Sequence, residues 1–366
     1  MGSGGAERAT ANLARHWAQK GWDISIVTLA PRDWDFYPLP PEIKRIALEL
    51  AGHSGNPVTG LQQNYRRINL LRRELRRINP DIALAMMAEA NTLLALAALG
   101  LPGMRTVGAE RIHPPEMPLG YRWERLRRNS YGLLNAVTVL THDSEEWIKR
   151  HTHARKVYVI PNAVTYPLPE QRPFIRPSVT GRKRLLAVGR LEKQKGFDLL
   201  IESFADLSEN YPDWDLIILG EGSLRPALEQ QIQNLGLEKR IVLPGCAGNP
   251  GKCYESADLY VLSSRFEGFP NALIEAMAYG LPVVSFDCNT GPRDIIRHQV
   301  DGLLVPPGDV TALTATLNSL MGNDALRRQL AERAIEVRTR LSMATIAGLW
   351  EQLFGQLLGR QYQSND

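Results

Sequence analysis

Cysteine is scarce in this chain: three among 366 residues, Cys246, Cys253 and Cys288, with no C-x-x-C pair. That argues against a disulfide framework or a thiolate zinc site and for a reducing compartment. Long apolar runs are missing too. The most hydrophobic stretch, 82–104, is interrupted by Glu89, Asn91 and Pro102, so it reads as a buried strand and a helix rather than a membrane span. The opening residues do not read as a secretory signal. There is no low-complexity segment and no short-period repeat. What is present is 44% hydrophobic and 22% charged residues, a globular composition. The length suits two domains of roughly 150–200 residues each.

Charge is unevenly spread. Residues 1–166 hold 22 Lys and Arg against 15 Asp and Glu, while 167–366 hold 21 against 24. A basic first half suggests an anionic partner: a membrane surface, a phosphorylated substrate or nucleic acid.

Apolar spacing predicts alternating elements. The first half reads as helix 6–20, with Ala9, Leu13 and Trp17 on one face and Gly21 as the stop, then strand 24–29, helix 65–78, strand 82–88 and helix 91–99. Strands 106–109, 136–140 and 157–160 follow. Such alternation indicates an α/β fold with a parallel sheet covered on both faces. Five prolines within 161–183 mark an interdomain linker. The pattern restarts with strand 185–188, helix 197–208 and strand 216–219, and runs on through 224–235, 241–243, 259–263, 271–279 and 282–286. The domains are therefore expected at 1–166 and 167–340. Residues 342–358 read as an amphipathic helix carrying Ile346, Trp350, Phe354 and Leu358, so 341–366 is expected to pack back on the first domain. Two doubly wound sheets on a short linker would turn their carboxyl-end crevices, where such sheets bind ligands, toward one another.

Several segments carry chemistry. Gly2-Ser3-Gly4-Gly5 runs into a helix, which suits close backbone approach and an anion, and equally a plain flexible start. The spacing is not G-x-G-x-x-G, so a dinucleotide fingerprint is not met. Gly189-Arg190-Leu191 and Gln194-Lys195-Gly196 follow the first strand of the second domain. Two cations there could neutralise a diphosphate; alone they also fit a solvated loop. Glu267 stands in a loop after strand 259–263, and Glu275 lies eight residues on in a helix. That pair is placed to hold two hydroxylated parts of one ligand. The Asp-Trp-Asp triplets at 33–35 and 213–215 invite a metal reading, but one lies in a loop and the other abuts a buried strand, so no metal is expected. Helix 65–78 carries Arg66, Arg67, Arg72, Arg73, Arg76 and Arg77 against Glu74 alone. It reads either as a solvated face or as a contact for anionic lipid or a lipid-linked diphosphate, to which Arg122, Arg125, Arg127 and Arg128 add.

Taken in order, Gly4 to Arg8, Pro161-Asn162-Ala163-Val164, Gly189-Arg190-Leu191, Lys195-Gly196, Gly220-Glu221-Gly222, Glu267 to Glu275 and Asp301-Gly302-Leu303-Leu304-Val305 resemble the retaining glycosyltransferases of family 4, which have the GT-B fold. The resemblance spans nearly the whole chain. It implies that Arg190 and Lys195 bind the donor diphosphate and stabilise it as it leaves, that Glu275 holds the ribose, and that Glu267 contacts the donor sugar as a positioning group rather than a nucleophile. Gly268, Phe269, Pro270, Asn271, Ala272 and Leu273 would line sugar and phosphate, Val242 to Cys246 would meet the base, and Gly4 and Gly5 would approach the donor. Glu110, Arg111 and His113 would face the acceptor or the sugar.

The implied donor is a nucleotide sugar, UDP-linked, with no cofactor and no metal. The implied acceptor is a glycan or an undecaprenyl-diphosphate-linked sugar, as in bacterial polysaccharide and lipid-linked oligosaccharide assembly, with a hexosyl or N-acetylhexosaminyl group transferred. The expected location is cytoplasmic, peripheral on an anionic inner membrane face, with no nucleic-acid partner. Two departures stand out. Many relatives carry a histidine where this chain has Arg111, with His113 two residues later. Relatives also place a central strand before the glycine loop, and here Met1 stands where that strand would end, so it is expected to be missing. The rival readings are a non-catalytic membrane- or nucleic-acid-binding α/β protein, which would not need Glu267 and Glu275, and a dinucleotide oxidoreductase, which the missing fingerprint disfavours.

Overall fold

A computed structural model describes residues 4–52, 57–175 and 181–360. The chain divides into two compact units, Met1–Ala163 with Met343–Asp366, and Val164–Ser342.

The first unit opens with α1 (Gly5–Gln19), which buries Ala11, Leu13, Ala14 and Trp17. Then come β1 (Ser25–Thr28), β2 (Lys44–Ala47), α2 (Pro57–Ile78), β3 (Ile82–Met86) and α3 (Ala88–Ala97). β4 (Arg105–Ala109), α4 (Tyr121–Ser130), β5 (Ala136–Val139), α5 (His142–His151) and β6 (Val157–Val159) complete the run. The strands form two parallel sheets, β1-β2 and β3-β4-β5-β6. Among the described residues β1 pairs with β2 alone and β3 with β4 alone, so each keeps one edge without a strand partner. β5 is buried along its length, and β4 is buried beyond Arg105, as interior strands of a parallel sheet require.

The second unit alternates β7 (Lys183–Val188), α6 (Phe197–Ser208), β8 (Trp214–Leu219), α7 (Arg225–Asn234), β9 (Ile241–Gly245), α8 (Pro250–Glu255) and β10 (Leu259–Leu262). It continues with α9 (Asn271–Ala278), β11 (Val283–Phe286), α10 (Pro292–Ile295), β12 (Leu303–Val305), α11 (Val310–Met321), α12 (Asp324–Ala334) and α13 (Val337–Arg340). Its six strands are all parallel in the order β12-β11-β10-β7-β8-β9. The chain starts at β7, builds outward to β9, then returns to lay β10 on the other side. The order therefore reverses between β7 and β10, and at such a switch point the loops leaving the two carboxyl ends part to form a crevice. Trp214, Phe204, Phe286, Leu185 and Ile218 are buried in the core beneath.

The proline-rich stretch is fastened to the second unit rather than hanging free. Leu168 N–H donates to Tyr279 Oη (2.9 Å), Gln171 N–H to Gly248 O (2.8 Å), and Ile175 N–H to Asn249 Oδ1 (2.8 Å). The last helix, α14 (Met343–Leu358), packs on α1 in the first unit. Trp17 meets Phe354 at 5.5 Å between ring centroids, and Lys20 Nζ pairs with buried Glu351 at 2.7 Å.

Candidate active site

The loop after β7 runs Gly189–Gly196 and the loop after β10 runs Ser263–Pro270, so both leave the switch point. They are stitched together. Arg265 N–H donates to Gln194 O (2.8 Å), Gln194 Nε2 to Phe266 O (3.0 Å), and Ser263 Oγ to Lys195 O (2.9 Å). Arg265 also forks onto both oxygens of Asp198 at 2.8 and 2.6 Å. Gly196 is required at the seam: its φ is +62°, and a Cβ there would fall 2.1 Å from Ser263 O.

This stitching brings together two side chains 72 residues apart. Lys195 Nζ lies 2.5 Å from Glu267 Oε1, and Ser264 Oγ donates to the same oxygen at 2.6 Å. The Lys195 side chain is 15% exposed and that of Glu267 6%. The Glu267 carbonyl accepts a hydrogen bond from Thr290 Oγ1. Arg190 is exposed nearby in the chain, its Nη2 3.4 Å from Gln194 Oε1. The arrangement is a buried carboxylate with an ammonium that has a second, solvent-facing side.

Pro270 precedes α9, so the helix starts at the end of the same loop. Gly291 packs against that loop, where a Cβ would fall 2.7 Å from Pro270 Cδ. The amide groups of the first turn of α9 favour an anion. Phe269 and Leu273 are buried, while Gly268, Asn271 and Ala272 are partly exposed. Glu275, just over one turn into α9, is buried and accepts from Tyr254 Oη of α8 at 3.2 Å. Cys246 follows the carboxyl end of β9 and is exposed. Val242 lies farther back, paired with Ile217 and also exposed. Beside Glu267, burial pushes the Cys288 thiol up to about 12, so it stays protonated at neutral pH.

One aspartate of each acidic triplet is held by arginine. Asp35 is held by Arg45 at 2.7 and 3.0 Å, and Asp215 by Arg182 (3.1 Å) and Arg240 (3.2 Å). Among the described residues no group of three or more His, Cys, Asp or Glu could hold a metal ion.

Residues 169–337 match the family described as Glycosyl transferases group 1, and residues 3–166 match Glycosyltransferase Family 4. This chain belongs to the family 4-like glycosyltransferases of GT-B fold. An exopolysaccharide phosphotransferase of Streptomyces coelicolor is 35% identical over 80% of this chain, which spans 30% of that protein's length. A Campylobacter jejuni protein, GalNAc-alpha-(1->4)-GalNAc-alpha-(1->3)-diNAcBac-PP-undecaprenol alpha-1,4-N-acetyl-D-galactosaminyltransferase, is 26% identical over 98% of this chain and 96% of its own. Anabaena HepE, solved in complex with UDP, shares the fold at a TM-score of 0.77 and 20% identity, covering 96% of each chain.

In the first unit of this glycosyltransferase, Gly4 caps α1 in extended backbone, and its carbonyl accepts from Arg8 N–H at 3.1 Å. Gly5 is the first helical residue, while Gly2 and Ser3 lie outside the described residues. Glu110, Arg111 and His113 follow the carboxyl end of β4, and all three are buried. Tyr131 Oη donates to Glu110 Oε1 and accepts from Asn91 Nδ2 (3.0 Å), while Arg127 Nη1 stands 3.7 Å from the same carboxylate. Burial raises the Glu110 pKa above the usual carboxylate range. His113 Nδ1 lies 2.9 Å from Ser144 Oγ in the first turn of α5, and burial lowers its pKa. Arg111 Nη2 donates to Asn162 Oδ1, beyond β6. Loops after three neighbouring strands thus meet at one edge of this sheet.

The arginines of α2 divide into two groups. Arg67 holds the carbonyls of Leu50 and Gly52, Arg72 those of Ala97 and Leu99, and Arg77 pairs with Glu74. Arg67 and Arg72 are committed to the unit's own structure, contrary to a uniformly basic outer face, whereas Arg77 remains exposed beside its helix neighbour. Arg66, Arg73 and Arg76 point outward, and Leu61 and Tyr65 on the same helix are 75% and 70% exposed.

Proposed function

We propose that this chain transfers a hexosyl or N-acetylhexosaminyl group from a UDP-sugar to a glycan or undecaprenyl-diphosphate-linked acceptor, with retention of anomeric configuration. The observation that carries the reading is the Lys195–Glu267 pair at 2.5 Å, at the switch point of the second unit and one loop away from the start of α9. In this reaction the bond from the anomeric carbon to the diphosphate breaks, and a bond to the acceptor's hydroxyl oxygen forms on the same face. Negative charge grows on the leaving oxygen, which takes up the proton that the hydroxyl gives up. Lys195 and Arg190 stabilise that charge together with the first turn of α9, as fixed cations and oriented amides do for developing oxyanions. The donor diphosphate takes the solvent-facing side of the Lys195 ammonium. Glu267 positions the sugar through its hydroxyls, and Glu275 holds the ribose. The cations carry the electrostatic work, so the reading calls for no metal.

The acceptor is proposed on the analogy of the Campylobacter relative's undecaprenol-linked substrate. The outward Arg66, Arg73 and Arg76, beside exposed Leu61 and Tyr65, suit peripheral contact with an anionic membrane face. No described helix is long and apolar enough to cross a membrane.

A panel of nucleotide sugars, each incubated with the protein and followed for release of free nucleotide, tests the donor assignment. UDP-sugars are expected to be consumed. Consumption of none, together with no calorimetric binding of UDP, would overturn it.

A further inference from the structure

Arg111 is a cation that the first unit buries without neutralising. It is 7% exposed. Its Nη2 donates to Asn162 Oδ1, but Nε and Nη1 are buried and meet no hydrogen-bond partner among the described residues. No carboxylate among the described residues pairs with it. Glu110, its neighbour in sequence, faces Tyr131 and Arg127 instead. Burial lowers its pKa to about 10, so the guanidinium stays charged at neutral pH.

Burying a charge without a partner is costly, and two buried nitrogens whose hydrogens meet no acceptor add to that cost. Buried charges of this kind cluster at sites where a ligand completes them. The location agrees. Arg111 follows the carboxyl end of β4, its orienting partner Asn162 follows β6, and the His113–Ser144 contact reaches the start of α5 after β5. Carboxyl ends of parallel strands are where sheets of this kind take ligands.

We propose that Arg111, oriented by Asn162, binds an oxyanionic group, phosphoryl or carboxylate, carried by the acceptor. This deepens the glycosyl-transfer reading and rests on it. The donor's diphosphate has its own cations in the second unit, Arg190 and Lys195. Arg111 serves the other substrate, whose chemistry is thereby narrowed to an acceptor that carries a phosphoryl group, a lipid-linked diphosphate included, or an acidic sugar.

The test uses the full chain and the variants R111Q and R111K, with inorganic pyrophosphate and D-glucuronate as separate probes. Calorimetric titrations are run after saturation with UDP, so that the second-unit cations are occupied. Wild type should bind pyrophosphate, glucuronate or both, and the probe that binds names the source of the oxyanion. R111Q should bind that probe at least about tenfold more weakly, the loss expected for one charge-assisted contact. UDP affinity should be the same in all three proteins. Thermal unfolding reports whether R111Q is folded. If it is not, R111K decides, because a lysine keeps the charge but loses the planar guanidinium and should bind severalfold more weakly. Failure of wild type to bind either probe, or variants that bind it undiminished, would overturn the proposal, as would a loss of UDP affinity in their place. If UDP itself does not bind, the donor reading fails, while the probe titrations still decide the role of Arg111.

Discussion

Lys195→Met separates the stability of the Lys195–Glu267 pair from its use. The ammonium and carboxylate meet at 2.5 Å, and among the described residues the only other side chain hydrogen-bonded to that oxygen is the Ser264 hydroxyl at 2.6 Å. Methionine keeps the side chain out to its ε-carbon and removes the charged ammonium. Glu267 is then a buried carboxylate without its cation, and removing one partner of a buried pair costs about 3–5 kcal/mol. Lys195 retains some solvent access, with its side chain 15% exposed, which brings the expected cost nearer about 2–3 kcal/mol. For a unit of this size that is a fall in Tm of about 4–12 °C. The double variant K195M/E267Q should regain most of this, because no unpaired charge stays buried. Turnover should behave differently. Loss of one fixed charge-stabilising donor costs about 100-fold or more, and the double variant should not recover it. Thermal unfolding and UDP-sugar turnover on the three proteins read both quantities. A K195M protein that melts like wild type and turns over within about threefold of it would refute the reasoning.

Other outcomes follow from the same geometry. Glu275→Ala should weaken UDP binding by about tenfold or more through lost hydrogen bonds, whereas Glu267→Ala should mainly lower turnover; equal losses of UDP affinity by calorimetry would contradict that division. Replacing Arg66, Arg73 and Arg76 by Gln should reduce binding to anionic liposomes by about 1 kcal/mol per residue, in a salt-sensitive way, with UDP-sugar hydrolysis unchanged; sedimentation with vesicles decides, and undiminished binding would leave those residues merely solvated. Gly196→Ala should destabilise the second unit by more than about 1 kcal/mol, because φ is +62° and the new Cβ would sit 2.1 Å from Ser263 O; an unchanged urea midpoint would count against the seam. Burial holds the His113 pKa below its usual 6.5, so the unfolded chain takes the proton first as pH falls. Stability should therefore rise with pH through the window beneath 6.5 and level off above it, and His113→Gln should flatten that slope in pH-dependent unfolding.

Elements with apolar periodicity were readable in the sequence. The helix expected at 6–20 is α1, Gly5–Gln19, and the strand expected at 24–29 is β1, Ser25–Thr28. The basic helix starts earlier than its apolar spacing indicated, at Pro57. α5 went unread because its apolar residues are few. Its signal lies at the ends: Thr141 accepts from Ser144 N–H, acids fill the first turn, and Lys149, Arg150 and His151 the last. Strand β2, with two charged residues in four, gave no alternation to read.

Arg190, Lys195, Glu267 and Glu275 were legible as candidates from residue type, from their place after predicted strands and from the family resemblance. Their partners could not. Lys195 and Glu267 are 72 residues apart and meet because the strand order reverses between β7 and β10, which local spacing does not encode. The same holds for Tyr254 on Glu275, Tyr131 on Glu110 and Asn162 on Arg111. The six arginines of α2 look alike in sequence, and only tertiary packing divides Arg67 and Arg72, which hold backbone carbonyls, from the four that stay exposed.

The decisive measurement is the anomeric configuration of the product, followed by proton NMR from the first turnover of a UDP-α-sugar with an undecaprenyl-diphosphate-linked acceptor. Sugar transfer with retention predicts an α-linked product, carrying the small anomeric coupling of the donor, and its formation should be lost in K195M. A β-linked product would contradict retention, and release of UDP with no sugar on any acceptor would contradict transfer.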